Sequence, residues 1–531
     1  MKRSATPFNY SEFLRLSLLV VFIVTSIIIA GTTLFANPIP ASPFANHMVL
    51  QRNMEVPVWG TADAGEKVTV RFAKQVKSAT ADAAGKWMVR LGKLQAGGPF
   101  ELLIQGNSAV KLEDVYVGEV WLCSGQSNMD MTVARQDRYW CGVYNEAAEV
   151  ASANYPLIRV FDVEFAPSEE ILGQVKGKWE SCSHETVGHF SAAAYFFARE
   201  LFQQYKVPIG LITTAYGAST AEAWVSKKTL EADPVYTNLL REYERKKNIY
   251  DTSVLARSKY DADIQKWTKD AAAAASAKTD PPRSPRNPDP KKDQHSPYVM
   301  YNGMVYPLIP YAIRGALWYQ GESNIPSKNI YDKIMESLVT SWRQEWGQGP
   351  FPFIYVQLAN YGKKADSVPA QGGGTHEVRQ KQLKNLSIPN TAMVVAIDNA
   401  DDAKDIHPKN KQQIGHRLAL AARGLVYKEK IVYSGPLYKS MKKGNGSILL
   451  SFDHVDGGLV AKDGSLKGFA LAGKDKKFVW ANAEIINETV RVSAPGITDP
   501  EAVRYAWGDN PPVNFYNKAD LPAAPFRTDD W

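Results

Sequence analysis

Apolar and polar positions along the chain fall into three successive patterns. Between Pro43 and Leu112 short apolar runs (MVLQR, VPVWG, KVTVRF, KWMVRL and FELLIQG) alternate with polar residues and break at small-residue turns such as Ala62–Gly65 and Ala81–Gly85. Short strands at even spacing predict a small β-sandwich over 43–112. Over 113–425 the pattern becomes one of buried strands alternating with helices. Strands are predicted from Val115, at Pro208–Ala215, Ala312–Tyr319, Pro352–Leu358 and Thr391–Asp398. Helices are predicted at Ser191–Tyr205, Tyr331–Trp346, Glu377–Lys384, and from Pro408 to about Leu425. Such alternation implies an α/β core, a parallel five-stranded sheet with helices on both faces. The charged, Ala-rich Lys227–Lys278 reads as helices inserted into that core, and Pro281–Pro290 returns the chain, so the insertion covers about 227–290. From 426 to 531 strand patterns resume, which predicts a C-terminal β-rich module.

The most informative stretch is Val115–Met131, VYVGEVWLCSGQSNMDM. A β-branched and aromatic run stops abruptly at a turn of small polar residues. Strands of an open α/β sheet end at the edge where such folds place their chemistry. Ser127 is therefore a candidate nucleophile, and its own N–H a candidate oxyanion donor. Two further turns, at Gly217 and at Gln320–Asn324, also follow predicted core strands and should share that edge. His407 stands just before the last core helix, held at the boundary by Pro408. A serine, a histidine, a glycine turn and an amide on one edge are the parts of an acyl-transfer site. In this reading Ser127 attacks, His407 takes its proton, and the Ser127 and Gly217 N–H groups meet the oxyanion with the amide of Gln320 or Asn324. Asp405 is the nearest acid to His407; Asp398, Asp401, Asp402 and a backbone carbonyl are the alternatives. Glu222, Trp224 and Glu322 follow the turns and are candidate substrate contacts, with packing and loop bracing as the competing readings. His376 precedes a helix and is a candidate to approach the site. His189 suits a helix cap, and His416 packing or surface.

Composition narrows the class of function. The net charge of +7 is diluted over 531 residues, which gives no argument for nucleic acid as a partner. Thirteen Trp and twenty-five Tyr suit sugar-facing surfaces as well as aromatic cores. Residues 1–36 combine a short basic start with the uncharged Leu16–Ala36, which reads as an export signal, with an uncleaved membrane anchor as the alternative. The remainder is accordingly expected to be periplasmic or extracellular. Three cysteines allow one disulfide at most, and Cys141 with Cys182 is the candidate pair. No HExxH, paired CxxC, calcium-loop or GxxxxGK[ST] pattern occurs, so neither metal nor other cofactor is expected.

The strings GEVWLCSGQSNM at Gly118–Met129, WYQGESN at Trp318–Asn324 and DIHPKNK at Asp405–Lys411 resemble the sialate O-acetylesterase group of SGNH-type serine hydrolases. The resemblance extends to MVLQR at Met48–Arg52, GASTAEAW at Gly217–Trp224, the run from Tyr301 and the closing NFYNKADLPAAPFRTDDW. It implies a three-layer αβα core with Ser127 as nucleophile, His407 as base, and Gly217 and the Gln320–Asn324 turn holding the oxyanion. The implied partner is an O-acetylated sugar or glycan, sialic acid first and acetylated plant polysaccharide second; a non-catalytic glycan-binding protein is the alternative from another class. Two positions depart from the family pattern. Ala218 stands where the family commonly has a second glycine, and Lys404 fills the place, three residues before the histidine, where the general pattern has Asp.

Overall fold

The computed structural model describes residues 38–136, 138–277, 279, 282, 285–362, 369, 374–400, 402 and 404–531. The segment 1–36, read as an export signal or anchor, lies outside them, as does Asp401. Among the described residues no helix is long and apolar enough to cross a membrane.

One strand of 17 residues, Ala109–Gly125, joins the N-terminal module to the core. Its first residues alternate between exposed or half-buried and buried positions and pair antiparallel with Gly97–Gln105; from Val117 onward every residue is buried. That change marks the point where a sheet with one wet face becomes a sheet covered on both. The buried half pairs in parallel with Ile209–Ala215 on one side and Gly315–Tyr319 on the other. Outward from these lie Tyr155–Asp162 beyond the first, and Phe353–Val356 then Thr391–Val394 beyond the second, all parallel. Trp179–Cys182 adds an antiparallel edge. The core thus has six parallel strands rather than the expected five. The extra one, Tyr155–Asp162, was hidden by Pro156 and by the charge of Arg159. That arginine is buried because its guanidinium donates to the carbonyls of His47 and Asp114 and pairs with the Asp114 carboxylate.

Alternate residues of these strands enter opposite layers. Val120, Leu122, Trp318 and Phe353 pack with the helix Tyr331–Trp346. Trp121, Cys123, Leu317 and Ile354 pack with Ala192–Tyr205 and Lys411–Leu425. The helices Lys227–Ala232, Thr237–Thr252 and Val254–Ala277 occupy the predicted insertion.

The N-terminal strands form a three-stranded sheet and a second group that continues into the core sheet. A boundary at 112/113 therefore falls inside a single strand. The MVLQR segment fastens this junction. Val49–Gln51 pairs in parallel with Tyr116–Gly118. Arg52 and Arg314 close on the fully buried Glu119 at 2.5 and 2.6 Å. The C-terminal residues form two four-stranded sheets and a two-stranded one. They are clamped to the core by buried Arg379, which donates to the carbonyls of Leu358, Gly508 and Asp509. The Tyr516 hydroxyl also donates to Asp398, itself held at 2.7 Å by Arg417. Cys123, Cys141 and Cys182 are all buried free thiols, so the expected Cys141–Cys182 bridge is not formed.

Candidate active site

The turn after Gly125 is set by close approach. Gly125 has φ +143, and a side chain there would sit 2.2 Å from the Tyr319 carbonyl, so the strand can end here only as glycine. Ser127–Asp130 then makes one helical turn, whose first N–H groups have no acceptor within the helix. The Gln126 side-chain oxygen accepts from the N–H groups of Gly321 and Ser323, binding the first turn to the third.

Ser127 and His407, separated by 280 residues, meet here, with Ser127 Oγ 2.9 Å from His407 Nε2. The other imidazole nitrogen, Nδ1, lies 3.3 Å from Asp405 Oδ1, which also accepts the His407 backbone N–H at 2.9 Å. Of the competing acids, Asp398 is committed to Arg417 and Tyr516, and Asp402 accepts from the Lys404 N–H. The Trp140 ring lies against the imidazole with centroids 4.9 Å apart, and the Arg138 guanidinium lies over the same indole. Burial, reinforced by the nearby Lys411 charge, lowers the His407 pKa to about 4 against the pull of Asp405. The ring is thus neutral at pH 7 and able to accept a proton.

A buried hydrogen-bonded network centred on Asn128 connects the three motifs. Asn128 Nδ2 donates to Glu322 at 2.6 Å and to the Ile406 carbonyl at 3.1 Å, while Asn128 Oδ1 accepts from Lys411 Nζ at 2.8 Å. Lys411 also donates to the Pro408 carbonyl at 2.7 Å. Burial lowers the Lys411 pKa to about 7 and raises that of Glu322. Glu322 therefore braces the nucleophile turn. The sequence marked Asn128 and Lys411 only as letters inside motifs; their hydrogen-bonding capacity was visible but their burial was not. Trp140, in an otherwise unremarked aromatic region, was likewise passed over.

Several expected roles change. The Gln320 amide donates to the Ser219 carbonyl and to Asn324 Oδ1. The Asn324 amide donates to Glu222 Oε2 and Ser327 Oγ. Both N–H pairs are spent, so neither side chain serves as an oxyanion donor; they stiffen the loop instead. Glu222 is buried and bonded to Asn324, and Trp224 is a core residue donating to Ser219 Oγ, so neither is a substrate contact. Gly217 does lie beside the nucleophile, since a methyl there would sit 3.8 Å from Ser127 Cβ. Its N–H, however, faces the buried Asp130 carboxylate, whose pKa burial raises and the Arg138 pairing opposes. Ala218 adopts φ 59, the left-handed backbone that favours glycine. His376 is packed against Trp507 and bonded to Asp509, while His189 pairs with Glu180 and His416 with Glu200. Among the described residues no group of three or more His, Cys, Asp or Glu side chains is placed to hold a metal ion.

A family model described as a carbohydrate esterase, sialic acid-specific acetylesterase, matches residues 117–255 and 297–423. The sialate O-acetylesterase of Mus musculus is 30% identical over 92% of this chain and 93% of its own length. That of Homo sapiens is also 30% identical, over 92% of this chain and 91% of its own. A solved carbohydrate acetylesterase from Xanthomonas citri is 32% identical, covers 93% of this chain and 100% of its own, and superposes with a TM-score of 0.76. The chain belongs to the family of carbohydrate esterases described as sialic acid-specific acetylesterases, and it is a carboxylic-ester hydrolase.

Proposed function

We propose that the protein is an exported carbohydrate O-acetylesterase that removes acetyl groups from sialic acid or a related glycan through a Ser127 acyl-enzyme. The observation that carries this is the 2.9 Å contact between Ser127 Oγ and a neutral His407 Nε2. Ser127 Oγ attacks the acetyl carbonyl carbon as its proton passes to Nε2. The imidazolium that forms is held through its Nδ1–H by Asp405. The oxyanion is met by the Ser127 N–H, joined by that of Gly217 once Asp130 turns wholly to Arg138. Collapse breaks the bond to the sugar oxygen, which takes the proton from His407 and leaves as the free hydroxyl. Water then repeats the cycle and releases acetate.

An SGNH-type arrangement fits the same proposal: the Ser127, Gly217 and Gln320 turns each leave the same end of neighbouring parallel strands. The names of the mammalian relatives support sialic acid as the sugar, whereas that of the bacterial relative leaves the sugar open. Acetate release from a panel containing 9-O-acetyl sialic acid and acetylated xylan fragments tests the substrate. Turnover of the first, lost in Ser127→Ala, is expected. Wild type and mutant binding glycan while both release no acetate would give the non-catalytic reading. Export is tested by the N-terminus of the mature protein: cleavage near Ala36 is expected, and an intact Met1 in a cytoplasmic fraction would overturn it.

A further inference from the structure

A cavity of about 860 Å³ opens beside the turn that follows Ile209–Ala215. Tyr216 and Ala218 form one wall, and the helical insertion and its return form the other through Tyr260, Arg286, Lys292 and His295. Tyr216 and Ala218 flank Gly217, which lies against Ser127, so this wall of the cavity belongs to the turn beside the nucleophile. Its volume is within the range of pockets that enclose a small ligand.

Two features describe what would fill it. The first is an aromatic platform. Phe165 and Tyr216 are stacked, centroids 3.6 Å apart and planes within 15°, yet Phe165 remains 41% exposed on the cavity wall. A flat apolar face beside polar neighbours suits the C–H face of a pyranose ring.

The second feature is charge. Arg286 and His295 share the Asp293 carboxylate, each at 2.6 Å. Lys292 Nζ donates to the Pro167 carbonyl, and among the described residues no carboxylate lies within ion-pair distance of it. Arg286 and Lys292 against the single Asp293 carboxylate leave the wall one positive charge in excess. These charged residues lie between the two segments that the family model matches, on the part of the chain that this model does not span.

We propose that this cavity is the sugar subsite of the esterase and that it selects a carboxylate-bearing sugar. The ring lies on the Phe165–Tyr216 pair and the carboxylate is met by Lys292 and Arg286. This rests on the reading of Ser127 as the acyl-transfer nucleophile.

The test is the kcat/KM ratio between an O-acetylated sialic acid and its carboxyl methyl ester, with p-nitrophenyl acetate as a sugar-free substrate. Wild type is expected to favour the free acid about tenfold, a difference of about 1.4 kcal/mol. The ratio should shrink at high salt, where exposed charges are screened. Lys292→Ala and Arg286→Ala should each lower it severalfold, mainly through KM. Phe165→Ala should lower both sugar esters together and leave the ratio. A purely structural effect of the two cation substitutions would also depress both esters equally, and that result would overturn the proposal. So would a wild-type ratio of one with p-nitrophenyl acetate turned over. Failure on all three substrates would instead strike the esterase reading of Ser127.

Discussion

Replacing Asn128 by alanine should loosen the site and the fold together, because one amide ties the nucleophile turn to both other motif loops. The substitution removes the bonds to Glu322, to Lys411 and to the Ile406 carbonyl. Two of the three partners are ionisable and the site is closed to solvent, Asn128 being 1% and Lys411 0% exposed. At roughly 1.5–3 kcal/mol for each bond to a charged group and about 1 kcal/mol for the neutral one, the gross loss is about 4–7 kcal/mol. The small cavity beside Glu322 and Ile406, about 10 Å³, gives room for one water, which recovers part of it. A net destabilisation of about 3–5 kcal/mol follows. Urea unfolding followed by tryptophan fluorescence measures it, with kcat/KM on an acetyl ester taken below the transition. Activity should fall too, since the Ile406 carbonyl bond holds the residue next to His407. The double variant Asn128→Leu with Lys411→Met should cost less than the sum of the single changes, because both ends of one bond leave together. A single-variant loss below about 0.5 kcal/mol, the usual scale of an inconsequential surface change, would refute the bracing role.

Four further outcomes are expected. With the His407 pKa at about 4, the acidic limb of the pH–rate profile should lie well below 6.5; Lys411→Met, which removes a like charge, should move it upward, and an unmoved limb would discount that charge. The same depression means the unfolded chain binds a proton at this histidine between pH 6.5 and 4 while the native one does not, so this contribution to stability is present above pH 6.5 and lost as pH falls through that window, readable as a falling urea midpoint. Glu119→Ala leaves Arg52 and Arg314 uncompensated in a buried junction and should cost about 3–5 kcal/mol of unfolding free energy; near-neutrality would show that solvent reaches them. Ala218→Gly relieves a left-handed alanine and should raise stability by up to about 1 kcal/mol, with thermal melting as the readout and a lowered melting temperature as the contrary result.

What could be read from the sequence was what depends on pattern over many residues. The buried run after Val115, the break at Ser124–Asn128 and Pro408 after His407 placed the serine and the imidazole on one sheet edge, and their side chains are in contact. Features decided by a single tertiary partner were not readable. Gln320 and Asn324 carry the amide chemistry of an oxyanion donor, yet Ser219, Glu222 and Ser327 lie closer and claim those N–H groups. Trp224 and Glu222 looked like binding residues because they follow the Gly217 turn, but each is enclosed by the core. The strand Tyr155–Asp162 was missed because a buried arginine looks like a surface residue until its carbonyl partners are seen. Likewise, the N-terminal sandwich could not be recognised as continuous with the core, since a strand that changes from one-faced to two-faced burial resembles two strands.

The Ser127–His407 assignment stands or falls on which hydroxyl becomes acylated. Incubation with a fluorophosphonate ester, followed by peptide mass spectrometry, should find one adduct per chain on the peptide containing Ser127, formed much more slowly in His407→Asn and absent in Ser127→Ala. An adduct on another residue, or undiminished acetyl-ester hydrolysis by Ser127→Ala, would contradict it.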